Sequence, residues 1–79
     1  MATDYYAESR CLADDLRAEG LGDYADALLA AIESSSTGTE ILMAINWNLD
    51  RLLAAGEGSR NLMLRAAGLR TELVKALRG

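Results

Sequence analysis

The sequence predicts a small all-α domain, an antiparallel bundle of three to four helices. Three observations lead there. Apolar residues recur at helical spacing in every long segment. Strand chemistry is nearly missing: only Val74, Ile32, Ile41, Ile45 and four Thr residues are β-branched. Pro is absent, and Gly falls between the periodic segments with one exception, Gly68. The 79 residues show no composition break, so a single domain spanning 1–79 is expected.

The first helix is expected from about Asp4 to Glu19, capped by Thr3. Tyr5, Leu12, Ala13 and Leu16 share its apolar face. Asp4, Glu8, Asp15 and Glu19 form an adjacent acidic stripe, expected to be a solvated face. Gly20 ends this helix, as Gly does just past a helix terminus. A second helix follows from Gly22 to about Glu33, with Ala25, Leu28, Leu29 and Ile32 inward. Ser34-Ser35-Ser36 reads as a loop.

The third helix has the clearest start signal. Thr37 stands three residues before Glu40, the spacing of a capping box. Over about 38–54, Ile41, Ile45, Leu49 and Leu52 form one stripe, widened by Leu42 and Leu53. Met43 and Trp47 lie four apart on another side. Apolar residues on two sides predict a central helix buried between neighbours. The alternative is that Met43 and Trp47 anchor an interface with a partner or a second copy, since Trp is enriched at interface hot spots.

Ala54 to Gly58 reads as a loop, and Ser59 caps the last helix, expected to run to about Leu77. Its seam is Leu62, Ala66, Leu69, Leu73 and Leu77. Gly68 sits mid-helix, either to admit a close helix contact or as a weak point costing about 1 kcal/mol relative to Ala. Short loops between these helices favour antiparallel neighbours.

Composition argues against most chemistry. With no His, the commonest general base and metal ligand are missing. No cofactor, metal or catalytic site is expected, and the expectation is a non-enzyme. The lone Cys11 cannot form an internal disulfide and reads as a partly buried small residue. The amino terminus lacks a basic segment followed by an apolar one, and no apolar run approaches a membrane span. A cytoplasmic protein is expected.

Net charge is −4 and unevenly placed. Residues 1–40 carry nine acids and two bases, and residues 41–79 three acids and six bases, giving −7 and +3. The halves could attract each other, or the opposite halves of a second copy. Arg60, Arg65, Arg70 and Lys75 are five apart and spiral round their helix, which argues against nucleic acid.

From Leu28 to Leu49 the order L-x-x-A-I, a small polar run, then T-G-T-E-I-L-M-A-I-x-W-x-L resembles small bacterial all-α proteins of uncharacterised role. The helix order and Leu spacing are also similar to helical immunity proteins of toxin systems. The resemblance implies a bacterial cytoplasmic protein that acts by binding another protein. Two functions are therefore expected ahead of a nucleic-acid-associated regulator. One is an interaction module that self-associates through apolar helix faces as a homodimer. The other is an immunity-like inhibitor whose acidic first helix masks a basic toxin.

Overall fold

The computed structural model describes residues 4–34 and 37–78, which form four helices and no strand. They are α1 (Tyr5–Ala18), α2 (Gly22–Ser34), α3 (Gly38–Ala55) and α4 (Arg60–Arg78). Each packs chiefly on two neighbours, in the cyclic order α1, α2, α3, α4 and back to α1. The antiparallel course is visible in cross-links. Tyr5 at the start of α1 donates to the Glu72 carbonyl late in α4 at 3.4 Å, whereas Glu19, just past α1, meets Ser59 at the start of α4. Arg17 pairs with Asp26 across the α1–α2 turn, and Asp50 with Arg70 between α3 and α4.

The all-α bundle is as expected, but α3 holds a corner of the ring, not its centre. The cross-section explains why. At 23 × 23 Å it is about two helix diameters each way, each diameter being about 10–12 Å, which leaves no place for a fifth position. Each helix therefore contributes a single stripe to one shared core. Leu12, Ala13 and Leu16 meet Ala25, Leu28 and Ile32, Ile45, Leu49 and Leu52, and Leu62, Ala66, Leu69 and Leu73. Leu29, expected inward, is only half-buried beside this cluster, and Ala31 is buried instead.

Boundaries follow from local chemistry. Asp4 caps α1, its carboxylate accepting from the Ala7 N–H at 3.1 Å; the expected cap, Thr3, lies outside the described residues. Gly20, at φ +79°, closes α1 in a Schellman motif: its N–H donates to the Arg17 carbonyl at 3.1 Å, and the Leu21 N–H to the Leu16 carbonyl at 2.8 Å. The Leu21 carbonyl then accepts from Ala25, so one residue ends α1 and begins α2. Ser34 is the last residue of α2, and its hydroxyl donates to the Ala30 carbonyl; Ser35 and Ser36 lie outside the described residues. Thr37 caps α3 as expected, accepting from the Glu40 N–H at 3.2 Å. Ala54 and Ala55 belong to α3, because the left-handed residue that stops it is Gly56.

Gly68 does not serve a close helix contact. A Cβ there would meet nothing within 4 Å. It opens onto a shallow groove between α1 and α4, beside Leu12 and Leu69. Ser9 is the opposite case: it occupies a core position, is fully buried, and its hydroxyl has no hydrogen-bond partner among the described residues. An unpaired buried hydroxyl costs about 1–3 kcal/mol.

Two substitutions should therefore stabilise the bundle. Gly68→Ala should add about 1 kcal/mol, a rise of roughly 4–8 °C in Tm for a domain of this size. Ser9→Ala should add a similar ~1 kcal/mol by removing the unpaired hydroxyl. Thermal unfolding followed by circular dichroism checks both; a fall in Tm for Gly68→Ala would mean that the glycine makes room for something.

Candidate protein-binding face

The packing of α3 determines which of its residues reach solvent. With Ile45, Leu49 and Leu52 turned into the core, residues about half a turn away must face out. Those are Glu40, Met43, Trp47 and Arg51, all exposed. Met43 is 57% exposed and Trp47 59%. The expectation that neighbours would bury them is overturned. The helices α2 and α4 do flank α3 on two sides, yet both contact the edges of its core stripe and leave the outer face bare.

Arg51, four residues after Trp47, lays its guanidinium over the indole, with its central carbon 4.9 Å from the ring centre. Such a contact contributes about 0.5–1 kcal/mol at an exposed site. Arg51 also borders a shallow hollow of about 300 Å³ with Asp23, Tyr24, Ala27 and Glu57, between α2 and the end of α3. The hollow is open and carries both charge signs. It lacks the enclosure that a small-molecule site needs. Arg51 could have been found from sequence, since i+4 is the spacing that stacks side chains on a helix. Leu64, on the outside of α4 and 62% exposed, carries no such signal because no large apolar residue stands one turn before or after it.

The acidic stripe of α1 faces solvent as expected, with Asp4, Glu8 and Glu19 exposed and Asp15 half-buried, but two of its members also bond to α4. Asp15 forms an ion pair with Arg65 of α4, so here the acidic and basic halves do attract each other within the chain. Glu19 goes further. One carboxylate oxygen accepts from the Ser59 N–H and the other from the Ser59 hydroxyl, each at 2.6 Å. The Ser59 hydroxyl in turn accepts from the Leu62 N–H at 3.2 Å. A capping box normally takes its acid from the third helical position. That position is Leu62, which is committed to the core, so the carboxylate is supplied by α1. Both Ser59 donors favour the ionised form and hold the Glu19 carboxyl below its ordinary value of 4.5. Asp15 and Glu19 thus both reach α4 from the acidic stripe.

Cys11, expected to be partly buried, is an exposed free thiol. Among the described residues, no three His, Cys, Asp or Glu side chains gather as metal ligands would, and no helix is long and apolar enough to cross a membrane.

The Glu19 link fixes a pH dependence. Because the folded value is depressed, its contribution is fully present above pH 4.5 and is lost as pH falls through the lower folded value. Glu19→Gln should therefore lower Tm at neutral pH, and the gap to the unaltered protein should close as pH falls below 4.5. Thermal melts across that range measure it, and a gap independent of pH would show that the carboxylate charge is not what holds Ser59. Ser59→Ala should cost about 1 kcal/mol at neutral pH, as loss of an N-cap does.

Comparison of the chain with protein-family models, curated proteins and solved structures gives no match, so what this face does rests on its own geometry.

Proposed function

We propose that the chain is a non-enzymatic protein-interaction module that docks another polypeptide on the outward face of α3. The observation that carries this reading is the exposed pair Met43 and Trp47 on the outside of a core already complete without them. Scattered apolar residues on a surface are ordinary. A Trp and a Met stacked one turn apart, with an Arg on the indole, combine residue types enriched at interfaces. Met adds an adaptable side chain. An indole that buries up to about 250 Å² when covered, and is 59% exposed here, leaves about 150 Å² to bury. At 25 cal/mol per Å² that is roughly 3–4 kcal/mol gross, before the costs of association. Such a face can anchor a contact but needs flanking interactions to hold it.

The setting we infer is the cytoplasm of a bacterium. The resemblance of the Leu28–Leu49 stretch supports the bacterial origin. An exposed unpaired thiol at Cys11 suits a reducing compartment.

Trp47→Ala should leave stability within about 0.5–1 kcal/mol of the unaltered protein, because it removes an exposed side chain. It should also abolish capture of the binding partner in affinity purification from the native host. Trp47 is the only Trp, so its emission reports the face directly. In the isolated chain at low concentration it should be quenchable by iodide, and it should become protected on binding. A Trp47→Ala protein that melts like a core mutant would assign the indole to stability instead.

A further inference from the structure

The order of residues on the α3 face indicates what covers it. Along the outward stripe the chain runs Glu40, Met43, Trp47, Arg51: acid, apolar, apolar, base. Reverse that stripe and lay it on itself, and acid meets base at both ends while apolar meets apolar between. We propose that a second copy of this chain docks here, α3 against α3, antiparallel about a two-fold axis. This rests on the interaction-module reading above and names its partner.

The register is fixed twice over. Met43 and Trp47 are centred on position 45, and Glu40 and Arg51 midway between positions 45 and 46. The two centres differ by half a residue, about 0.8 Å along the helix. One axis beside Ile45 and Asn46 therefore serves both pairs. Met43 of each copy lies on the partner's Trp47, and Arg51 of each faces the partner's Glu40. Glu40 already sits in the first turn of its own helix, where Thr37 caps its N–H. The pairing asks only for its negative charge there. The contact is isologous, so each interaction occurs twice and the assembly closes as a dimer. Parallel pairing would put Glu40 on Glu40 and Arg51 on Arg51, and like charges reject it.

Neither α2 nor α4 has an outward stripe in this order. On α2 the stripe is Asp23, Asp26, Ala30 and Glu33, which is acidic and repels its own copy. On α4 it runs Arg60, Leu64, Thr71 and Lys75, basic at both ends. Acidic α2 against basic α4 would be head-to-tail and without an apolar centre. The buried area of one helix pair lies at the low end of specific interfaces, so the dimer is a weak one.

Sedimentation equilibrium of the full chain tests the proposal, with far-UV circular dichroism confirming the fold of each variant. The unaltered protein should pass from monomer toward dimer between about 5 and 500 µM, the range expected of a weak interface. W47A should remain monomeric. R51E should weaken the dimer at least about tenfold, since it faces Glu40 with a like charge at two places. The double variant E40K/R51E should regain most of the loss, because the pairs are restored with signs exchanged. E40K alone also removes the acid from the first turn of α3, so R51E is the primary single variant. A monomer across the whole range overturns self-docking, as does a double variant no tighter than R51E. If the monomer nevertheless binds a foreign protein that W47A loses, the interaction module stands without the dimer. A dimer indifferent to W47A overturns both.

Discussion

One shared apolar core, only a single layer of side chains deep, constrains everything else in this molecule. Four helices in a ring give each one stripe to bury and one face to leave outside. Leu12 and Leu16, Leu28 and Ile32, Ile45 and Leu49, Leu69 and Leu73 fill the space between them. Nothing further can enter a bundle two helices wide. The outer residues of α3 are thus set by subtraction. Once Ile45 and Leu49 are inside, Trp47 between them cannot be.

Closing such a ring is harder than forming its hairpins. The pairs α1–α2 and α3–α4 are joined by turns of a few residues, stopped by Gly20 and Gly56 in the left-handed region. The seam between α1 and α4 joins segments with no such local help. It is the seam where Gly68 leaves open space. There the chain places the Tyr5 hydroxyl, the Asp15–Arg65 pair and the Glu19 carboxylate on Ser59. Exposed ion pairs contribute little each, about 0–1 kcal/mol. The Glu19 link is of another kind, because it satisfies backbone and hydroxyl donors that begin a helix. Two members of a solvent-facing acidic stripe, Asp15 and Glu19, thereby also fasten the first helix to the last.

Local signals in the sequence were sufficient for the four helices and for most of their ends, to within a residue or two. Thr37 caps α3, Ser59 caps α4, and the seam from Leu62 to Leu73 is buried, each as spacing predicts. The failures share a cause. Periodicity says that Met43 and Trp47 lie on a second side of α3, but only the number and placement of neighbouring helices says whether that side is covered. Likewise, Asp15 and Glu19 are acids on a helix face until α4 is laid beside them. Ser9 falls in the register of Tyr5, Leu12 and Leu16, so its burial was legible; that its hydroxyl finds no partner there depends on the neighbouring helices. What a residue touches across the bundle is a property of helix arrangement, and this chain has too few strongly marked contacts for sequence to dictate it.

The exposed indole of Trp47 is not left bare by its own helix. A bare indole beside a Met is an aggregation liability. Arg51 lies over the ring and presents a strongly charged group outward in its place. A contact contributing about 0.5–1 kcal/mol is enough to bias the side chain and too weak to lock it there. When a second α3 approaches, the guanidinium can turn from its own indole toward the Glu40 of the other copy, exchanging one weak contact for a charge pair while the ring gains an apolar cover. In the proposed dimer the same residue would guard the face when it is empty and help to set direction when it is filled. On that reading, a base one turn after Trp47 serves the face better than a third apolar residue would.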